Sequence, residues 1–275
     1  MRKFLQISIV LFIVVVLAAC GGKSEATSDG DKKEIKIGAT AGPYSDQLKE
    51  GIVPLLEEKG YKVTITEFND YIQPNRSLDE GSIDANLYQN RNYLKNFNEE
   101  HEMDLVASYA VPTAPIAFYS ERHTSLDDVE EGMKVTLPND PTNLARSLHM
   151  LVDYGWIEID EDADPLIASE KDITANHYNL EILPLEAAQT PRSLGDSDFA
   201  FVNGNYALAS GLKLEEAVDI EKTSEDYLIY ITVRNGEEDE QWAQDLKEAY
   251  YSDEFLEYTK EHSKGYVLPP YQLDR

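Results

Sequence analysis

Residues 34–68 switch between two hydrophobic periods, and this switch restricts the fold more than any other feature of the chain. Glu34–Ala39 alternates polar and apolar residues, Tyr44–Lys59 has the spacing of an amphipathic helix, and Tyr61–Phe68 alternates again. Two strands joined by a helix form a βαβ unit, in which the strands run parallel. The sequence therefore predicts an α/β fold built on a parallel sheet.

The same two periods recur along the rest of the chain. With 275 residues, of which 42% are hydrophobic, the chain has enough apolar material for two lobes or one large domain, and a single small domain is excluded. The predicted later strands are 105–111, 115–119, 133–137, 199–202 and 227–233. The predicted later helices are 140–154, 238–251 and 253–262.

The charge balance excludes one class of partner. The chain carries 24 Lys+Arg against 52 Asp+Glu, a net charge of −28. A polyanion repels phosphate backbones, so nucleic acid is not expected as a partner, and anionic lipid headgroups are disfavoured for the same reason.

The first twenty residues have the layout of a bacterial export signal. Arg2 and Lys3 precede an apolar stretch that is unbroken from Ile9 to Ala19, too short to span a bilayer comfortably. The sequence LAACG that follows resembles a lipobox, in which Cys20 receives a diacylglycerol-type lipid after cleavage before it. Cys20 is the only cysteine, so an intrachain disulfide is excluded. The alternative is an ordinary secretory signal with a chance cysteine.

Removal of residues 1–19 as the signal peptide would take away two basic residues and no acid, leaving 22 basic against 52 acidic residues. Residues 20–33 are then small, polar and charged without an apolar period, which is typical of a flexible tether. Folding is expected to begin at about Glu34.

A helix beginning near Asp140 is the best-defined local element. Asp140 is a favourable N-cap and Pro141 suits the first helical position. Asn143 and Arg146 lie three residues apart, away from the apolar stripe and near the positive end of the helix. A guanidinium in this position is suited to bind a carboxylate through two parallel bonds. The alternative is an exposed arginine, because charged side chains are usually on the surface.

A second candidate segment is 198–207, where an apolar strand runs into Asn203, Gly204 and Asn205 and then a helix. Ligands of α/β proteins bind at the carboxyl ends of strands, and two amides there could bind an amino or carboxylate group. A simple turn is the alternative, because Asn and Gly favour turns.

A third segment supplies aromatic residues. Tyr71, Tyr88 and Tyr93 offer ring surface with polar tips, suited to an apolar ligand side chain such as a thioether. The chain has 17 tyrosines, so chance aromatic residues are common and this signal is weak by itself.

Taken together, these segments resemble the methionine-binding lipoprotein family (MetQ/NlpA type), the substrate-binding components of ABC importers. The resemblance runs from about residue 35 to 275 and is carried, in order, by the lipobox and the motifs GATAGPYSDQLK, FNDYIQPNRSLDEGSIDANLYQNRNYL, LPNDPTNLARSL, EAAQTPRSL and FVNGNYAL. It implies a two-lobe periplasmic-binding-protein-like fold, with a ligand cleft between the lobes and two crossover strands. Residues 34–112 and 227–275 would form lobe 1, and residues 113–226 would form lobe 2.

The resemblance also implies a binding site. Arg146 would bind the ligand carboxylate with Asn143 beside it, and Asn203 would bind the amino-acid backbone group, with Asn205 as a second amide. Tyr71 and Tyr93 match aromatic positions around the ligand side chain. The chain departs from the family pattern at Tyr88 and Asn90, where the family often has Phe and His, and in residues 111–115; we therefore expect a more polar pocket than is usual for methionine.

The expected function is that of a lipid-anchored receptor on the extracytoplasmic face of the cell membrane. It would bind L-methionine and deliver it to a permease with its ATPase, without a cofactor. Whether it also binds D-methionine is left open. The same role for a methionine-containing dipeptide or another amino acid is the main alternative. A metal-binding receptor and a non-transport surface lipoprotein remain alternatives of a different class.

No enzyme activity is expected. The chain has no Gly-x-Ser-x-Gly, Walker or His-Glu-x-x-His motif. No metal site is expected either, because the five histidines are scattered without paired spacing.

Overall fold

The βαβ unit predicted for residues 34–68 is present in the computed structural model, which describes residues 32–273 and 275. Its two strands run parallel, with Ile37 opposite Ile65. The strands of the described chain are β1 (Glu34–Thr40), β2 (Lys62–Phe68), β3 (Ala85–Asn90), β4 (Val106–Val111), β5 (Ala117–Tyr119), β6 (Lys134–Pro138), β7 (Ile157–Ile159), β8 (Ile173–Asn176), β9 (Glu181–Leu185), β10 (Phe199–Val202), β11 (Asp219–Ile220) and β12 (Ile229–Val233).

Helices connect these strands and cover the sheets. The α-helices of the described residues are α1 (Pro43–Asp46), α2 (Val53–Glu58), α3 (Gln73–Asp79), α4 (Arg91–His101), α5 (Pro141–Asp153), α6 (Gly204–Ala209), α7 (Gln241–Tyr250), α8 (Asp253–His262) and α9 (Pro270–Leu273). Five short 3₁₀ segments lie at Leu126–Asp128, Glu170–Asp172, Ala187–Asp196, Leu214–Glu216 and Glu225–Tyr227.

The strands form two five-stranded sheets and a small hairpin. The first sheet has the order β2-β1-β3-β12-β4, the second has the order β11-β5-β10-β6-β9, and β7 pairs with β8. Strand β12 is antiparallel to both of its neighbours, so a late segment of the chain completes the early sheet. The chain thus passes from the first sheet to the second between β4 and β5, and returns between β11 and β12.

This connectivity gives a mixed α/β fold of two lobes, one around each sheet, joined by two crossover segments. Each lobe has its own apolar core. Ile35, Ile37 and Trp242 are buried in the first core. Phe118 and Phe199 stack in the second, with ring centroids 4.9 Å apart. The residue boundaries assigned to the lobes, 34–112 with 227–275 and 113–226, stay a prediction.

The helix predicted over residues 44–59 is not a regular α-helix. A π-helical segment, Gln47–Ile52, separates α1 from α2, and the N–H of Val53 bonds to the carbonyl of Leu48. Pro54 has no N–H and its ring crowds the preceding turn, so the usual hydrogen-bond ladder cannot pass through it. The helical period survives this insertion, which is why the sequence pattern does not reveal it.

Strand β3 is the central element that periodicity does not predict. All six of its residues are buried although Asn86, Gln89 and Asn90 are polar. The amides of Asn75, Asn86 and Gln89 satisfy one another: Asn75 Nδ2 donates to Gln89 Oε1 at 2.8 Å, and Asn86 Nδ2 donates to Asn75 Oδ1 at 2.9 Å. Buried amides that are fully paired are tolerated in a core, so the polar sequence does not reveal the burial of this strand.

The predicted signal peptide (1–19), lipidation site Cys20 and most of the tether (20–33) lie outside the described residues. Lys33–Arg275 form one compact unit. No helix among residues 32–273 has the length and apolar character needed to cross a membrane.

Candidate functional site

A cavity of about 370 Å³ of empty space lies in the cleft between the two lobes. All eight ligand-binding residues predicted from the sequence line it, together with seven that were not predicted. The lining is Tyr44, Tyr71, Tyr88, Gln89, Asn90, Tyr93, Thr113, Ala114, Ile116, Asn143, Arg146, Asn203, Gly204, Asn205 and Ile229.

Helix α5 places two of these residues at its first turns. As predicted, Asp140 is the N-cap: its side chain accepts a hydrogen bond from the N–H of Asn143, and Pro141 occupies the first helical position. Leu144, Leu148 and Leu151 are buried, so one face of the helix is fixed against the second core. Asn143 and Arg146 consequently point to the cavity.

Arg146 is buried, and the alternative of an exposed surface arginine is wrong. Its side chain is 5% exposed, and the carboxylate of Glu221, itself 9% exposed, faces it. Nε donates to Glu221 Oε1 and Nη2 donates to Glu221 Oε2. Thr223 donates to Glu221 Oε2 at 2.7 Å, and the guanidinium lies over the ring of Tyr227, 4.5 Å from its centroid.

The ion pair uses only one edge of the guanidinium. Nε and Nη2 are occupied, whereas none of the described residues accepts a hydrogen bond from Nη1. Arg146 lines the cavity, and its Nη1 remains a charged donor without a partner in this part of the chain. Because Glu221 balances the positive charge, the arginine can be buried without a ligand.

The side chains of Asp140, Asn143 and Asn203 form a chain of hydrogen bonds beside Arg146. Asn143 Nδ2 donates to the two carboxylate oxygens of Asp140, at 3.0 and 3.1 Å. Asn203 Nδ2 donates to Asn143 Oδ1 at 3.1 Å. Asn203 Oδ1 is buried and has no partner among the described residues. Burial raises the pKa of the Asp140 carboxyl, and the hydrogen bonds from Asn143 oppose that rise.

Tyrosine rings form the opposite wall. The ring centroid of Tyr71 is 5.5 Å from that of Tyr88, 5.9 Å from that of Tyr93 and 5.0 Å from that of Tyr206. Tyr206 does not line this cavity but an adjoining one, together with Tyr71 and Tyr93. Burial raises the pKa of the Tyr71 and Tyr88 hydroxyls well above its ordinary value, so these groups stay protonated and act as donors. The wall offers uncharged ring surface to an apolar side chain.

Asn205 joins the two lobes and is not a free amide. Tyr71 Oη donates to Asn205 Oδ1 at 2.7 Å, and Asn205 Nδ2 donates to Thr40 Oγ1 at 3.3 Å. Thr40 and Tyr71 belong to the segment before β4, whereas Asn205 is on α6. Asn205 therefore links the two lobes, and both polar atoms of its amide are hydrogen-bonded.

The more polar pocket expected from Tyr88 and Asn90 is only partly present. Tyr88 Oη donates to the carbonyl of Tyr71 at 2.8 Å, so this hydroxyl is satisfied by the protein. Asn90 is the N-cap of α4, and its Oδ1 accepts from the N–H of Tyr93 at 2.8 Å. Only the amide nitrogen of Asn90 has no partner within residues 32–273.

The cavity residues missed by the sequence reasoning are mostly held by the crossover segments. Thr113, Ala114 and Ile116 follow β4, and Ile229 begins β12. Tyr44 is buried, and its Oη accepts from the N–H of Ala114 at 3.3 Å. Tyr44 lies inside a family-like motif and could have been proposed on that ground, but the residues near the crossovers have no chemical signal of their own.

No cluster of three or more His, Cys, Asp or Glu side chains in the described part of the chain is arranged to bind a metal ion. His149 and His262 instead contact backbone carbonyls, of Pro165 and Tyr258.

Comparisons with known proteins identify the family of this chain. The family model of the NlpA lipoproteins matches residues 35–271. The chain belongs to the NlpA lipoprotein family. Two relatives of this NlpA-family chain are a methionine-binding lipoprotein of Bacillus subtilis, 34% identical over 98% of this chain and 99% of the relative, and a probable D-methionine-binding lipoprotein of Vibrio cholerae, 35% identical over 91% of each.

Solved structures of NlpA-family relatives have the same fold. A nutrient-binding protein from Burkholderia cenocepacia, solved bound to methionine, has a TM-score of 0.81 and 37% identity, covering 85% of this chain and 99% of that chain. A putative methionine-binding lipoprotein from Bacillus subtilis has a TM-score of 0.82 and 34% identity, covering 86% of this chain and 98% of that chain. These similarities establish the two-lobe fold of this NlpA-family member.

Proposed function

We propose that this chain is the substrate-binding lipoprotein of an ABC importer and that it binds methionine in the cleft cavity. The observation that carries the proposal is the complementarity of the cavity: a charged donor at Arg146 Nη1, a buried free acceptor at Asn203 Oδ1, and a wall of tyrosine rings. An amino-acid ligand has a carboxylate for the first and an ammonium for the second. A thioether side chain packs well against ring edges.

The names of the relatives support the same ligand. Arg146 and Asn203 would bind the backbone groups, Asn143 would hold Asn203, and Tyr71, Tyr88 and Tyr93 would contact the side chain, with Asn90 offering an amide N–H. Asn205 would fasten the closed cleft rather than contact the ligand. Binding is reversible and leaves the ligand chemically unchanged, so the protein acts as a receptor and not as an enzyme.

Closure of the two lobes would bury the ligand between them. Removal of water strengthens the contacts of Arg146 and Asn203, and the closed form is the one that a permease can recognise. We place the receptor on the extracytoplasmic face of the membrane, held by a lipid on Cys20, next to a permease and its ATPase.

Calorimetry on full-length protein in detergent, stripped of ligand by unfolding and refolding, tests the proposal. The ligands are L-methionine, D-methionine, glycyl-methionine, leucine and zinc. Tight binding of a methionine enantiomer, with leucine at least tenfold weaker, supports the proposal. Tight binding of glycyl-methionine alone would assign the receptor to dipeptides: an adjoining cavity that shares Tyr71 and Tyr93 gives space for a longer ligand. Binding of zinc alone, or of none of the five, would refute the proposal.

A further inference from the structure

The free acceptor in the cavity is Oδ1 of Asn203. The orientation of this amide is set by a residue that lies two hydrogen bonds away from it. An asparagine side chain presents an oxygen or an NH₂ group depending on which way it is turned. Asn203 turns its Nδ2 to Asn143 Oδ1 and so leaves Oδ1 without a partner. A ligand ammonium needs that oxygen, whereas an exposed NH₂ group would repel it.

The orientation is imposed from Asp140. An ionised carboxylate can only accept hydrogen bonds, so it forces the NH₂ group of Asn143 to face it. Asn143 donates to both carboxylate oxygens from Nδ2 and to Oδ1 from its backbone N–H. Its Oδ1 is then left for Asn203, which must donate to it.

Helix capping by itself does not require this carboxylate. Asparagine and serine are about as favourable as aspartate at an N-cap. A carboxylate at a partly buried position also carries a cost, which raises the pKa of Asp140. The carboxylate therefore has a role that an amide or hydroxyl cap would not have. The amides that lead from it into the cavity indicate that this role is to orient them.

We propose that Asp140 is a positioning residue that sets the specificity of the cavity for a ligand ammonium, acting through Asn143 and Asn203. This inference rests on the proposed amino-acid ligand. In Asp140→Asn the cap oxygen still accepts from the N–H of Asn143, but the new NH₂ group faces the Asn143 amide and turns it. Asn203 turns in response, and its NH₂ group faces the ligand.

The experiment compares two ligands by calorimetry: L-methionine and its α-hydroxy analogue, in which a hydroxyl replaces the ammonium. The hydroxyl both donates and accepts, so it binds either orientation of Asn203. In Asp140→Asn, we expect methionine affinity to fall about 10- to 100-fold and affinity for the analogue to fall less than about threefold. Asp140→Ser retains only a capping hydroxyl. It should also lower the affinity for methionine relative to the affinity for the analogue.

A matched control is Asp172→Asn. Asp172 accepts from the N–H of Ser169 at 2.7 Å in the capping box of a 3₁₀ segment and is not part of the cavity lining. It should leave both affinities unchanged. An equal loss for both ligands at residue 140, or no loss, would overturn the inference. Wild-type protein that binds neither of these ligands, nor D-methionine, would instead refute the proposed function. Circular dichroism verifies that each variant is folded.

Discussion

Glu221 holds Arg146 at one edge of its guanidinium, through Nε and Nη2, and leaves Nη1 without a partner among the described residues. Glu221 lies on the segment by which the chain returns to the first sheet. The proposed carboxylate-binding group is therefore oriented by a crossover segment.

Glu221→Gln should lower the free energy of unfolding of the ligand-free protein by about 3–5 kcal/mol, because it leaves a buried arginine without its counter-charge. Urea denaturation measures this change. The control is Glu216→Gln, which removes an exposed ion pair with Lys213 and should change stability by less than about 1 kcal/mol. Equal effects of the two substitutions would contradict the role of the buried pair.

Arg146→Met combined with Glu221→Leu should restore most of that stability and still lose methionine binding. Replacing both partners of a buried ion pair by apolar residues is often close to neutral for stability. Loss of the charged donor should weaken binding by about 2–5 kcal/mol. Calorimetry on this folded double variant separates binding from stability, and wild-type affinity would place the ligand carboxylate elsewhere.

Asn203→Ala should weaken methionine binding by about 1–3 kcal/mol, because the ligand ammonium loses the buried acceptor. Asn235→Ala is the control: this amide is exposed and bonds to Asp104 at 3.1 Å, outside the cavity. Isothermal titration of both variants would rule out Asn203 as a ligand contact if their affinities were the same.

Tyr88→Phe should reduce stability rather than change specificity, since the hydroxyl bonds to the carbonyl of Tyr71. Loss of this bond should cost about 1 kcal/mol of unfolding free energy. The ratio of the affinities for methionine and leucine should stay within about twofold of the wild-type ratio. A large change in that ratio would show that the hydroxyl contacts the ligand side chain.

Gly204→Ala should destabilise the protein by about 1–3 kcal/mol, because a Cβ there would lie 2.5 Å from the carbonyl oxygen of Pro115. Gly195→Ala is the matched control, since a Cβ at that position has no neighbour within 4 Å. Thermal denaturation compares the two. A Gly204→Ala protein as stable as Gly195→Ala would mean that the crossover segment at Pro115 yields without cost.

Asp198 gives a pH-dependent prediction. Burial opposes ionisation of its carboxyl, but bonds from the N–H of Lys134 and from Arg122 outweigh it and lower the pKa. A lowered pKa stabilises the fold above the unfolded value of about 3.9, and this stability is lost as the pH falls through the folded value. Asp198→Asn should cost about 1–2 kcal/mol at neutral pH and progressively less below about pH 4. Urea denaturation at several pH values measures the difference in unfolding free energy between this variant and the wild type. A difference that does not depend on pH would contradict the prediction.

Local features of the site were predicted from the sequence. The N-cap Asp140, the buried stripe of α5 and the strand before Asn203 are each encoded within a few residues, by capping chemistry or hydrophobic period. The eight predicted residues line one cavity. The prediction had grouped them by a family resemblance and not by periodicity.

The sequence by itself determined the α/β class, the bounds of seven of the twelve strands of the described chain to within a few residues, the family and the list of candidate contacts. Only the tertiary structure decided which polar atoms remain free for a ligand. Arg146 and Glu221 are 75 residues apart in sequence, and Tyr71 and Asn205 are 134 apart. Such pairs depend on how two sheets and two crossovers pack. Hydrophobic period reports the burial of each segment but not its partner in another lobe.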